Sequence, residues 1–316
     1  AEKNNQDRFF QIIYWLGNLA IKERVDNLKR AITFSPILRE RIGHHIYGEI
    51  WANNIKDVLS EQDLIRRPIH IISANMHSVM NSIYAPIILP NLTKDNDAIS
   101  LFELLSKDDN EDLRKQVKQY AAKNGLTYIK DSSGTNINVQ VIDTSKVDLN
   151  KTQFSEIEID SLEKPVLIVM DYAFGEQAYE TMDELLKPYF CENNIKQHLN
   201  VESVSIMGKA GILEGGKGDI MIPSSHIFEG TADNYPFKNQ LKKKMFDGCG
   251  VHAYSGAMVT VLGTSLQNKD ILKFFHDSTW KVTGLEMEGA HYQKAIQAAS
   301  KIRGNISSKV KVRYAY

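Results

Sequence analysis

From Pro68 onward one pattern recurs along the chain. A short apolar run closes on small residues, and a stretch of helical period follows. Ile69-His70-Ile71-Ile72-Ser73-Ala74 is the first such run, and it leads into a helix-like stretch at residues 78–83. Residues 165–170 form another run, after which Gly175 opens a helix at 176–187. Residues 201–207 read as a strand that ends in Gly208-Lys209-Ala210-Gly211. Further strands are expected at 219–223, 257–263, 283–287 and 309–314, with helices at 266–276 and 288–300. Apolar runs this short fit strands covered on both faces rather than amphipathic hairpins. Their alternation with helices predicts an α/β domain with a mixed, mostly parallel sheet.

Two segments depart from that pattern. Residues 100–123 carry Leu101, Leu104, Leu105, Leu113, Val117 and Ala121 at helical spacing, and Gly125 stops the helix. Residues 126–130 and 136–143 then read as a hairpin around Asp131-Ser132-Ser133-Gly134. Ahead of Pro68, residues 7–66 read as helical. Asp7 is the first cap, Ser35-Pro36 starts a second helix, and Ser60-x-x-Asp63 resembles a capping box for a third. The expected division is a helical extension at 1–67 and an α/β domain at 68–316.

Composition narrows the function classes. Thirty-eight Lys and Arg against thirty-nine Asp and Glu leave a net charge of −1, which argues against a nucleic-acid partner or a polybasic membrane patch. No apolar run is long enough to span a bilayer. The opening Ala-Glu-Lys-Asn-Asn-Gln-Asp is polar, unlike a signal peptide. Cys191 and Cys249 are too few for a disulfide scaffold or a zinc cluster, so idle thiols in a cytoplasmic protein are expected.

The chemistry concentrates at Gly284-Leu285-Glu286-Met287-Glu288-Gly289-Ala290. Two acids flanking a methionine at a strand-to-helix switch are costly to bury unless partners satisfy them. A sugar diol is one such partner, because a carboxylate accepts both hydroxyl protons. The glycine turn at 208–211 follows a strand, where backbone amides can approach an anion closely. Gly211-Ile-Leu-Glu-Gly-Gly216-Lys217-Gly218 almost spells a P-loop. It fails at Gly218, where a hydroxyl should hold Mg²⁺, and it precedes an expected strand instead of a helix. A dinucleotide-binding G-x-G-x-x-G is absent from this turn, and an ordinary glycine-rich loop is the plain alternative.

Together these blocks resemble the nucleoside phosphorylase and nucleosidase superfamily. The Glu-Met-Glu-Gly-Ala block is similar to its ribose-binding signature. Gly208–Pro223 resembles its G-[ST]-A-G-G-L…G-D-[IV] block, with Lys209 in place of Ser or Thr and Ile212 in place of the second Gly. Val310-Lys311-Val312-Arg313 resembles its final V-x-V-R strand. The resemblance implies a three-layer phosphorylase-like domain with a mixed central sheet flanked by helices, behind the N-terminal helical extension. It implies cleavage of the N-glycosidic bond of a nucleoside or nucleotide, by phosphorolysis or hydrolysis, in purine metabolism.

The implied roles follow residue by residue. Glu288, Met287 and His226 would bind ribose. Gly208, Lys209, Ala210, Gly211 and Arg313 would bind phosphate or water, and Ser265 and Leu266 would contact the base. His77 is a candidate proton-transfer group, because an imidazole titrates near neutrality. An Asp beyond Tyr316 is expected to protonate the departing base. Glu286 either supports Glu288 or caps the following helix. No metal or organic cofactor is implied, and orthophosphate is a co-substrate only for a phosphorylase. The partners implied are a small nucleoside or nucleotide and further copies of the chain, with neither nucleic acid nor membrane. The rival class is a nucleoside- or nucleotide-binding protein that has lost catalysis, which Lys209, Ile212 and the lack of an acid on the first strand favour.

Overall fold

The computed structural model describes residues 2–27, 45–90, 92, 98–152, 164–190, 195–229, 231, 233–263, 269–277 and 282–316. The chain forms two compact units, Ala1–Gly43 and His44–Tyr316. The first contains helix α1 (Glu2–Asp26); the helix start expected at Ser35-Pro36 lies outside the described residues.

The second unit begins with α2 (His45–Glu61), β1 (Ile69–Ser73), α3 (Met76–Ile88), α4 (Ala98–Ser106) and α5 (Glu111–Lys123). Next come β2 (Leu126–Ile129), β3 (Val139–Asp143), β4 (Val166–Met170), α6 (Gln177–Leu185), β5 (Tyr189–Phe190), β6 (Lys196–Gln197) and β7 (Val201–Met207). The last third holds β8 (Gly211–Ile212), β9 (Ile220–Phe228), β10 (Asn234–Pro236), β11 (Ala253–Thr260), α7 (Lys269–Asp277), β12 (Val282–Glu286), α8 (Gly289–Gln297) and β13 (Lys311–Ala315).

A mixed six-stranded sheet runs β13-β7-β1-β4-β3-β2. Its β13, β7, β1 and β4 are parallel, and β3 and β2 are added antiparallel. Alternation sends Ile69, Ile71, Val166 and Ile168 to one face, where they pack with Ile55 and Leu59 of α2, Met182 of α6 and Ile296 of α8. Val169 and Ile142 face the other way, against Met80 of α3, Leu101 of α4 and Val117 of α5. The result is an α/β domain with a mixed sheet covered by helices on both faces. A second sheet, β10-β9-β11-β12-β8, has its own smaller core of Ile227, Val259, Leu285 and Phe275. Tyr316 and Met221 exchange backbone hydrogen bonds of 3.0 and 2.9 Å, which join the end of β13 to β9 of that sheet.

Several sequence expectations differ from these elements. Helix α2 packs into the sheet-bearing unit: its Trp51 Nε1 donates to Ile137 O at 2.9 Å, and its buried Lys56 Nζ donates to Glu184 O at 2.8 Å. The compact unit that carries the sheet accordingly begins at His44. Ser60-x-x-Asp63 ends α2 instead of opening another helix, with Asp63 in the left-handed region at φ 56°. The single helix expected at 100–123 is broken at Asp108–Asn110. Arg114 holds that break by donating to the carbonyls of Leu105, Lys107 and Asp108.

Candidate functional site

The strand that ends in Glu286 and the turn after β7 meet through the second sheet. Beyond Gly208-Lys209-Ala210 the chain enters β8, which pairs antiparallel with β12: Gly211 lies opposite Leu285 and Ile212 opposite Gly284. Leu213 N–H donates to Thr283 O at 3.0 Å and extends this pairing. Gly284 makes the approach possible. A Cβ there would lie 2.8 Å from Gly211 O and would also overlap Met221 Sδ.

Glu286 is completely buried and serves as an anchor for the helix start. Its carboxylate accepts the amide of Glu288 at 2.6 Å, the amide of Gly289 and the hydroxyl of Thr260. The Thr260 Oγ1 in turn accepts the Ala290 amide at 2.9 Å. Negative charge at a helix N-terminus is favourable, and here it is spent on the first turn of α8. Of the two roles open to Glu286, helix capping is the one its hydrogen bonds show. Burial pushes its carboxyl up, but the nearby His226, the Thr260 hydroxyl and the Gly289 amide outweigh burial and hold it below the ordinary glutamate value. His226 Nδ1 lies 3.4 Å from Glu286 Oε1, an ion-pair distance without hydrogen-bond geometry.

A cavity of about 430 Å³ opens beside this anchor. Gly208, Lys209, Ala210 and Gly211 line one wall, and Met287 and Glu288 line another. Tyr172 and Phe174, from the loop after β4, and Tyr292 and Tyr316 supply aromatic surface. The Gly175 amide donates to Glu288 Oε1 at 3.1 Å, fixing the carboxylate from the far side of the loop. Burial raises the Glu288 pKa, and the Glu286 charge adds to the rise against the Gly175 hydrogen bond. Tyr292 Oη lies 3.0 Å from Ser73 Oγ, so the end of β1 also reaches this space. The arrangement offers a carboxylate acceptor, a turn of small residues with one exposed lysine, and flat apolar walls. These suit a polar ring that carries adjacent hydroxyls and an aromatic group.

The expected site residues divide between this cavity and other places. Gly208, Lys209, Ala210, Gly211, Met287 and Glu288 share it. His226 does not line it. The strand expected at 219–223 runs on to Phe228, which puts His226 in the interior of β9, with the imidazole stacked on Phe237 at 5.3 Å and edge-on to Tyr314 at 4.7 Å. Arg313 alternates with the buried Val312 and Tyr314, so it points to the opposite face of β13, where its Nη1 reaches Ser205 Oγ at 3.5 Å. His77 is exposed on the first turn of α3 and lines no wall of the cavity. Ser265 and Leu266 lie outside the described residues.

Sequence reasoning missed Ser73, Tyr172, Phe174, Tyr292 and Tyr316. Two signals could have found some of them. Tyr172-Ala173-Phe174 lies one residue past an apolar run, where loops at strand ends carry ligand contacts. Tyr292 lies four residues after Glu288 and therefore shares its helix face. Among the described residues no cluster of His, Cys, Asp and Glu is placed to hold a metal ion, and no helix is long and apolar enough to cross a membrane.

Comparison with solved structures finds distant likenesses. Native futalosine hydrolase of Helicobacter pylori superposes at a TM-score of 0.43 and 12% identity, over 79% of this chain and 86% of that one. Helicobacter pylori MTAN gives 0.43 and 13% over the same shares. The 5'-methylthioadenosine/S-adenosyl homocysteine nucleosidase of Campylobacter jejuni gives 0.42 and 11%, over 79% and 83%. No curated protein matches the chain. The model of a family of unknown function, DUF6909, matches residues 99–315, and the chain belongs to that family.

Proposed function

We propose that this protein cleaves the N-glycosidic bond of a nucleoside or nucleotide in the cavity between the Gly208 turn and Glu288. What carries the reading is that Glu288, Met287 and Gly208–Gly211 line one space of about 430 Å³, although 76 residues or more separate them in sequence. In this reading Glu288, held by the Gly175 amide, accepts the ribose hydroxyls, and Met287 packs beneath the sugar. Tyr172 and Phe174 present flat surface to the base. The turn at 208–211 positions water or orthophosphate, whose oxygen bonds to C1′ as the C1′–N bond breaks. The bonding electrons leave with the base, and the proton that the attacking water or orthophosphate gives up neutralises it. Neither a metal nor an organic cofactor is required, and orthophosphate is consumed only if the reaction is phosphorolysis.

One observation favours a second reading, a nucleoside- or nucleotide-binding protein without catalysis. Among the described residues lining the cavity the carboxylates are Glu286 and Glu288, and Glu286 is engaged by the α8 cap. A carboxylate left over for proton transfer is therefore not among them. Incubation with a panel of nucleosides and nucleotides, with and without orthophosphate, separates the two readings. Release of free base that Glu288→Gln abolishes marks an enzyme. A thermal shift without base release marks a binder, and neither response from any compound removes both.

A further inference from the structure

A second concavity, of about 640 Å³, lies between β9, the start of β11, the segment after β10 and the end of α8. Lys238, Lys242, Lys243 and Lys301 line it, with the hydroxyl-bearing Ser224 and Ser255, and among the described residues no carboxylate does. Over the whole chain, by contrast, the charges nearly cancel, to −1. The lysines do not form a simple run: Lys301 comes from the turn after α8, 58 residues beyond Lys243. Some lysines elsewhere find carboxylates, as Lys115 does with Glu111, Lys151 with Asp148 and Lys187 with Glu184. Lys238, Lys243 and Lys301 make no ion pair with any described residue.

The segment is also held in place. Asn239 is buried, and its Nδ2 donates to Pro223 O at 3.0 Å and to Tyr314 O at 2.9 Å. Its Oδ1 accepts the Leu241 amide at 3.1 Å, and Lys242 Nζ donates back to Asn239 O at 2.7 Å. Lys238 and Lys242 therefore project from a braced backbone, which reduces the ordering cost of binding. Like charges converging without a counter-charge repel one another, and an anion with several charges relieves that repulsion.

We infer that this concavity binds a small polyanion of the polyphosphate class, at a site separate from the cavity holding Glu288. A concave pocket lined by hydroxyl donors fits a compact polyphosphate better than an extended nucleic-acid backbone, which needs a continuous basic track.

Inorganic tripolyphosphate titrated into the full chain and followed by calorimetry tests this. Saturable binding of one anion per chain is expected, weakening by at least about tenfold between about 0.1 M and about 1 M salt. Combined Lys238→Gln, Lys243→Gln and Lys301→Gln should weaken it by about tenfold or more, because each removes one direct charge. If that triple variant fails to fold, Lys301→Gln alone should still weaken binding measurably. Lys209→Gln should leave binding unchanged. Absence of saturable binding overturns the inference. So does loss of binding in Lys209→Gln alone, which puts the anion in the other cavity. Binding of single-stranded DNA without binding of tripolyphosphate overturns it in favour of a nucleic-acid surface.

Discussion

Leu285 sits directly opposite Gly211 in the antiparallel pairing of β12 with β8. Through that register the strand leading to Glu286 and Glu288 is fastened to the turn that begins at Gly208. Both sides of the cavity are thus parts of one small hydrogen-bonded element, and its geometry depends on how closely the two backbones approach.

Gly284→Ala tests that approach. The added Cβ would press on Gly211 O at 2.8 Å and on Met221 and Met258. Overpacking of this kind costs about 1–3 kcal/mol. The expected outcome is a lower melting temperature together with weaker nucleoside-induced stabilisation. An unchanged melting temperature would show that β8 is free to move away from β12.

Glu286→Gln probes the helix anchor. The variant loses charge-assisted acceptance of two amides and a hydroxyl in a buried place, at a cost of about 1–3 kcal/mol. The pH dependence has a definite sign. The folded-state pKa of Glu286 is held down, so its stabilisation is present above the ordinary glutamate value and fades as pH falls through the lower folded value. The stability gap between wild type and variant should therefore be widest near neutrality and close in acid. Equal denaturant midpoints at pH 7 would contradict the anchor.

Glu288→Gln should move stability in the other direction. A raised folded pKa means the native state favours the protonated acid, so ionised Glu288 weakens the fold above that pKa and the penalty vanishes in acid. The variant is expected to melt at the wild-type temperature or higher at pH 7, with the advantage gone at about pH 4. Nucleoside affinity should fall by about 10- to 100-fold, the range for a lost hydrogen bond to a charged group. Titration calorimetry and thermal melts on the same samples check both halves.

Lys56 supplies a test away from the cavity. Burial lowers its pKa to about 8, with the Glu184 charge opposing. Because a depressed lysine disfavours its charged form, the fold is penalised at neutral pH and gains stability as pH rises from about 8 toward the ordinary lysine value of 10.5. Lys56→Met should be more stable than wild type at pH 7, by at most about 3 kcal/mol, less whatever the lost bond to Glu184 O contributed. Its advantage should shrink toward pH 10 in parallel denaturant titrations.

The strands at Ile69–Ser73, Val166–Met170 and Val201–Met207 were legible because their apolar runs satisfy a buried sheet wherever the rest of the chain goes. The break between α4 and α5 was not, because it depends on Arg114 reaching back to carbonyls six to nine residues earlier. The position of His226 inside β9 is not legible for a related reason. Pro223-Ser224-Ser225-His226 has no strand-like alternation, and its place inside β9 follows from pairing with β11 and from the Phe237 and Tyr314 rings around the imidazole.

By itself the sequence determined the alternation of strands and helices, the strand-to-helix switch at Glu286–Gly289 and the small-residue turn at 208–211, all of which follow from local period and backbone freedom. Both acids line the cavity, and only the tertiary structure decided which of them is engaged by the helix start. Glu286 and Glu288 are two residues apart in similar local sequence. One turns inward to Thr260 and the first amides of α8, and the other meets the Gly175 amide at the cavity wall. Burial pushes both carboxyls up; for Glu286 the distant His226 and Thr260 reverse it, while for Glu288 burial prevails over the Gly175 bond, and no local pattern encodes either outcome.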